Sequence, residues 1–179
     1  MSGDRTAELL ARPSPDDYGA DIVVDSVAAR AGPESGLTVV AFRIAGELLA
    51  LDAARVAEVQ TARPVRRVPR RTTAIFLGLV NVRGQIEPCV SLGAVLGLDT
   101  AGEATAKRLV VFGAPSRRFA FRADDVALRD VPRSAVLPAP TTLARAVDHH
   151  TQAVITLGGL RINWLDAALL AAFLTRSLG

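Results

Sequence analysis

The chain is poor in residues that carry chemistry. Cys89 is its one cysteine, which excludes an intrachain disulfide framework. It falls on a predicted apolar strand and reads as an inert core thiol. Lys107 is the one lysine against 20 arginines. With the high alanine content, that skew reads as genome base composition, and it weakens any argument from arginine to nucleic acid. Aromatics are 4% of residues, so platforms for base stacking are few. The two histidines, His149 and His150, are adjacent and are too few to build a metal site. No run of 18 apolar residues exists and the start lacks a signal-peptide core, so the simplest expectation is a soluble cytoplasmic protein without direct membrane insertion. No phosphate loop is present, because Gly158-Gly159 is not followed by Lys-Ser/Thr. Asp124-Asp125 imitates a carboxylate pair, but neighbours on a strand point to opposite faces. Ser91 has no base near it in sequence. These absences favour a binding or adaptor protein over an enzyme and imply no cofactor. An enzyme would need a pocket joining His149 or His150 to Asp124.

What is there is apolar and unevenly charged. Hydrophobic residues make up 50% of the 179 and charged residues 22%, enough for one domain or two small fused lobes. Residues 1–36 carry seven acids and three arginines, net −4. Residues 37–179 carry eleven acids and eighteen basic residues, net +7. The first stretch reads as a flexible acidic tail, broken by Pro13, Pro15 and Pro33. Ile22-Val23-Val24 is a short apolar patch inside it, readable as a docking peptide or an added edge strand. The body is basic, which favours acidic partners and salt-sensitive association.

Strand-forming residues begin at Leu37 and run to Ile44, with a turn at Ala45-Gly46-Glu47 and a return over Leu48–Leu51. Asp52 caps a single helical turn. Val56–Val59 is a third strand, with Val56 and Glu58 expected on one face and Ala57 and Val59 on the other. Glu58 is then a solvated edge charge or a partner contact. Arg63, Arg66, Arg67, Arg70 and Arg71 crowd a proline-broken loop. Leu79–Val82 and Gln85–Ser91 form a hairpin around Arg83-Gly84, in which Ile86 and Val90 are expected to face the core. Gly84 suits a turn that needs positive φ or a close backbone approach. Leu92, Val95 and Leu96 make a short helix ended by Gly97.

After a linker-like break at 99–106, strands are expected at Arg108–Phe112, Arg117–Phe121 and Val126–Val131. A hairpin follows over Gln152–Trp164. Asp166 caps a final helix with Leu169, Leu170, Phe173 and Leu174 on its apolar stripe. Two strand clusters of similar length, about 37–98 and 107–165, suggest two small barrels. So small a barrel buries little surface by itself, so the lobes should share an apolar interface closed by the helix over 166–178.

The segments Phe42-Arg43-Ile44, Leu49-Ala50-Leu51-Asp52 and Arg55–Val59 together resemble the opening of a CheW-type chemotaxis coupling domain. Val65-Arg66-Arg67-Val68-Pro69 strengthens the likeness. The most specific stretch is Gly78-Leu79-Val80-Asn81-Val82-Arg83-Gly84, followed by a strand with Pro88. Phe119-Ala120-Phe121, Leu137–Pro140 and Ile162-Asn163-Trp164-Leu165 also fit. The resemblance covers about residues 37–176. It implies a mainly β fold of two intertwined five-stranded SH3-like barrels with a groove between them and a C-terminal helix.

The resemblance further implies a non-catalytic adaptor. Its partners would be the cytoplasmic tip of methyl-accepting chemoreceptors and the regulatory domain of a CheA-type histidine kinase, with self-association or mixed rings as a further contact, recruited to membrane-associated receptor arrays. Matched position by position, Val56, Glu58 and Arg83 would contact the receptor, while Asn81, Val82 and Gly84 would set the shape of the loop. Asp125 stands where the family usually has glycine, so a different turn is expected there. A basic double-barrel nucleic-acid-binding protein is the other reading, carried by the arginine loop. The lack of aromatics and of a recognition helix in that loop counts against it.

Overall fold

The computed structural model describes residues 22–23, 36–139, 141 and 145–179. The strands are β1 (Ile22–Val23), β2 (Gly36–Ile44), β3 (Glu47–Asp52), β4 (Val56–Thr61), β5 (Phe76–Val82), β6 (Gln85–Val90), β7 (Arg108–Ala114), β8 (Arg117–Pro132), β9 (Val136–Pro138), β10 (Thr151–Leu157) and β11 (Leu160–Leu165). Among the described residues the α-helices are α1 (Leu92–Leu96) and α2 (Ala167–Leu178). The rest of the expected acidic tail lies outside the described residues.

The protein is mainly β and builds two small barrels, and these interleave along the chain. One lobe holds β4, β7, the first half of β8, β6 and β5. The other holds the second half of β8, then β2, β3, β11, β10 and the short β9. This corrects the expectation of lobes at 37–98 and 107–165. Strands β2 and β3 precede the first lobe in sequence but pair with β8 and β11 of the second. Local periodicity cannot reveal such an exchange, because both lobes offer the same kind of strand.

The crossover is β8, which runs unbroken from one lobe into the other. It bends at Asp125, where φ is +48°. Aspartate tolerates this left-handed conformation better than most residues. The positive φ that glycine would supply is therefore kept, contrary to the expectation of a different turn. Arg43 Nε donates to Asp125 Oδ2 at 3.2 Å and fixes the bend.

Alternation then sorts the core. In β7, Val110 and Phe112 face one cluster while Leu109 and Val111 face another. In β3, Leu49 and Leu51 face the same first cluster and Ala50 a third. The first cluster draws on both lobes and contains Phe42, Val56, Phe112, Phe121, Leu170 and Leu174. It has 23 buried residues against six and five in the private clusters, so most of the burial holds lobe to lobe. Helix α2 seals it with Leu170 and Leu174, both fully buried. Leu169 lies off the expected stripe and is exposed.

Local signals hold where they depend on neighbours in sequence. Asp52 accepts from Ala54 N, Ser91 from Ala94 N, and Asp166 from Ala168 N and Leu169 N. Gly97 ends α1 with φ +65°. The linker-like stretch contains a built anchor: Glu103 is buried, and its Oε1 accepts from Gly93 N at 2.7 Å.

Candidate functional site: the β5–β6 turn, β4 and an adjoining groove

The turn between β5 and β6 is strained in a way the sequence only half announces. Arg83 has φ +50° and Gly84 φ +88°, the mirror-image turn that matches the twist of a hairpin. A Cβ at Gly84 would meet nothing within 4 Å, so its glycine answers to φ and not to crowding. The crowded glycine is Gly78, where φ is +140° and a Cβ would sit 2.3 Å from the Arg66 carbonyl oxygen. There Arg66 and Leu79 exchange backbone hydrogen bonds of 2.8 Å, tying the arginine loop to the hairpin.

Arginine has no intrinsic reason to adopt positive φ. Two contacts hold it there. Asn81 Oδ1 accepts from Gly84 N at 2.8 Å, closing the turn. Arg83 Nε donates to Glu58 Oε1 at 2.6 Å. The arginine side chain keeps 53% of its exposure while the glutamate keeps 11%, so a buried carboxylate positions a cation that still faces outward.

Strand β4 delivers Glu58 through a bulge. Pairing with β7 slips between Val56 and Glu58. The extra residue breaks the expected alternation: Val56 and Val59 both enter the shared core, and Glu58 turns away from it. Glu58 is therefore neither a solvated edge charge nor a bare partner contact. It is buried and ion-paired within the chain.

The structure brings Glu58, Asn81, Arg83 and Gly84 to one surface. Asn81, Arg83 and Gly84 are exposed. Val56 and Val82 are each 3% exposed and offer no contact area of their own. Val56 packs in the shared core and Val82 in the private core of the first lobe. The expectation that Val56 itself touches a partner meets this burial.

Beside the hairpin lies an open groove of about 930 Å³. Phe76, Leu79, Ile86, Pro88, Phe119 and Leu178 supply its apolar surface, so it joins the hairpin to the end of α2. Arg71, Arg117 and Arg118 stand along it. Ile86 is 59% exposed, which overturns its expected core position. The inward residue is Glu87, paired with Arg118 Nε at 3.0 Å. At this end of the strand the faces are one residue from those expected, while Val90 is buried in the shared core as expected.

Other candidate chemistry disperses. Burial pushes the Cys89 thiol up to about 11, with Arg122 opposing, so it stays protonated at neutral pH. Burial lowers the His150 pKa, its ring meets Phe173 edge to face with centroids 5.5 Å apart, and His149 is exposed. Asp124 accepts from Lys107 N at 3.2 Å while Asp125 holds Arg43, so the two carboxylates are engaged separately. Among the described residues no group of three or more His, Cys, Asp or Glu could hold a metal ion. Of the arginine loop, Arg63 donates to Gln60 Oε1 at 2.9 Å, and Arg66, Arg67, Arg70 and Arg71 are exposed.

Two interleaved barrels, a fixed outward cation and an apolar groove describe a protein-binding domain. The chain belongs to the CheW-like domain family, whose model matches residues 38–173. That family places it among the adaptor and scaffolding domains of chemotaxis signal transduction. Its fold is similar to the crystal structure of the scaffolding protein TtCheW from Thermoanaerobacter tengcongensis, with 21% identity and a TM-score of 0.64. The match covers 74% of this chain and 90% of that one. No curated protein matches the chain in sequence. Among the described residues no helix is long and apolar enough to cross a membrane.

Proposed function

We propose that the protein is a non-catalytic adaptor coupling the cytoplasmic tip of methyl-accepting chemoreceptors to the regulatory domain of a CheA-type histidine kinase. The observation that carries this reading is the Arg83–Glu58 pair at 2.6 Å on a turn closed by Asn81. A preorganised arginine fork loses little freedom on binding and can take a carboxylate or carbonyl of a helical tip. The neighbouring groove suits the apolar face of an amphipathic helical hairpin, with Ile86 as an outward anchor. In this reading Arg83 makes the contact and Glu58 aims it, Asn81 and Gly84 hold the turn, and Val56 and Val82 pack in the two cores behind the strands. The protein works in the cytoplasm and is recruited to receptor arrays through these contacts.

The test is co-elution of the full chain with a receptor-tip hairpin and with a CheA regulatory domain from the same genome. Complex formation that is lost in Arg83→Glu, with the circular dichroism spectrum unchanged, is the expected result. A folded wild-type chain that binds neither partner overturns the coupling role. The arginine loop gives the competing nucleic-acid reading a clear signature, a steep salt slope removed by substituting Arg66, Arg67, Arg70 and Arg71.

A further inference from the structure

The second side of β4 is occupied. β7 pairs with one edge, and β1 pairs antiparallel with the other, setting Ile22 opposite Val59 and Val23 opposite Glu58. Without β1, β4 would be the free edge of its lobe. A free edge presents unpaired N–H and C=O groups and accepts an added strand readily. The occupant here belongs to the chain itself, and its register places it beside the carboxylate that holds Arg83.

We infer that Ile22–Val23 is a resident edge strand that covers β4 at Glu58 and competes with the binding partner for the Arg83–Glu58 face. The inference rests on the coupling role proposed above. Three features support a displaceable contact. The ladder is two residues long, too short to hold without a tether. Twelve residues, 24–35, link it to β2, a length that keeps the strand at high effective concentration near its edge. Residues 1–36 carry net −4 against net +7 for the rest, so the body attracts the segment toward the exposed Arg83. The strand is apolar but flanked in sequence by Asp21 and Asp25, so its charge matches that of an acidic partner approaching the same edge.

The experiment uses the full chain with Ile22→Pro and Val23→Pro together, which remove both N–H donors of β1 and leave the body untouched. Hydrogen exchange of the β4 amides that face away from β7 should quicken, roughly tenfold or more, since a covered edge becomes an open one. Affinity for a receptor-tip hairpin should rise, roughly five- to thirtyfold, as the covered population is removed. Adding a peptide of residues 18–27 to the double variant should reverse both changes. Unchanged exchange overturns the edge-strand assignment. Quickened exchange with unchanged hairpin affinity overturns the competition. If neither form binds the hairpin, the coupling role falls and the competition with it, while exchange still decides whether β1 covers β4.

Discussion

Arg83 Nε lies 2.6 Å from Glu58 Oε1, so a cation on the β5–β6 turn is steered by a carboxylate on β4. Because the arginine side chain remains 53% exposed, the pair should contribute only ~0.2–1 kcal/mol to folding. Its value lies in direction: it holds a non-glycine residue at φ +50° and points the guanidinium outward. Arg83→Gln keeps a donor for Glu58 but removes its cation, so it should cost no more than ~1–3 kcal/mol while weakening hairpin binding by roughly tenfold or more, as for a central interface arginine. Arg83→Glu adds a repulsive carboxylate opposite Glu58. Adding Glu58→Gln should recover the stability lost to that repulsion without recovering binding. Recovery of both would mean that Arg83 acts through the fold alone.

Ile86→Asp separates the groove from the core. At 59% exposure the side chain gives up little burial, so the variant should fold with stability within about 0.5 kcal/mol of wild type. Hairpin binding should fall if Ile86 anchors the apolar face. Glu87→Ala is the contrasting change. It leaves the partly buried Arg118 without its carboxylate and should cost ~1–3 kcal/mol. Thermal melts of the two variants check the register directly. An unfolded Ile86→Asp protein would return Ile86 to the core.

That strand shows where sequence reading stops. The hairpin, its turn, the Asp52, Ser91 and Asp166 caps and the final hairpin were legible, because each depends on residues a few positions apart. The face of β6 was not. Hydropathy places a glutamate outside and an isoleucine inside, and Arg118 reverses this by neutralising Glu87 from another strand. Glu103 and the Ala57 bulge were missed for the same reason, since their partners Gly93 and β7 are fixed by tertiary structure. Asn81, Arg83 and Gly84 were legible as a motif, and the resemblance named Glu58 as a receptor contact, but its burial and its pairing with Arg83 left no signal in the sequence. The interleaving of the lobes leaves no trace in local periodicity and was expected only from the family resemblance.

Gly78 and Gly84 separate crowding from conformation. Both have positive φ, but only at Gly78 would a Cβ collide with backbone, 2.3 Å from the Arg66 carbonyl oxygen. Gly84→Ala should cost ~1–2 kcal/mol, the ordinary penalty of the left-handed region. Gly78→Ala must also push the arginine loop off the hairpin, breaking the Arg66–Leu79 exchange of hydrogen bonds. It should cost more than ~2 kcal/mol. Chemical denaturation of both variants tests the order, and equal losses would mean that the loop moves aside freely.

Glu103 makes stability depend on pH in a direction opposite to most paired carboxylates. Burial raises its pKa, and hydrogen bonds from Ser91 and Gly93 only partly oppose this. The folded chain therefore holds the proton more tightly than the unfolded chain, so this group's contribution is fully present below the unfolded value. It declines as pH rises from there through the raised folded value. Glu103→Gln keeps an oxygen to accept from Gly93 N and removes the buried charge. The variant should match wild type in acid and exceed it at neutral pH. Glu103→Ala instead strands the Gly93 N–H and should lose ~1–3 kcal/mol at either pH. Urea unfolding of the three proteins at pH 4 and pH 7 reads the difference directly. A Glu103→Gln protein that gains nothing on going to neutral pH would show that the carboxylate ionises without cost where it stands.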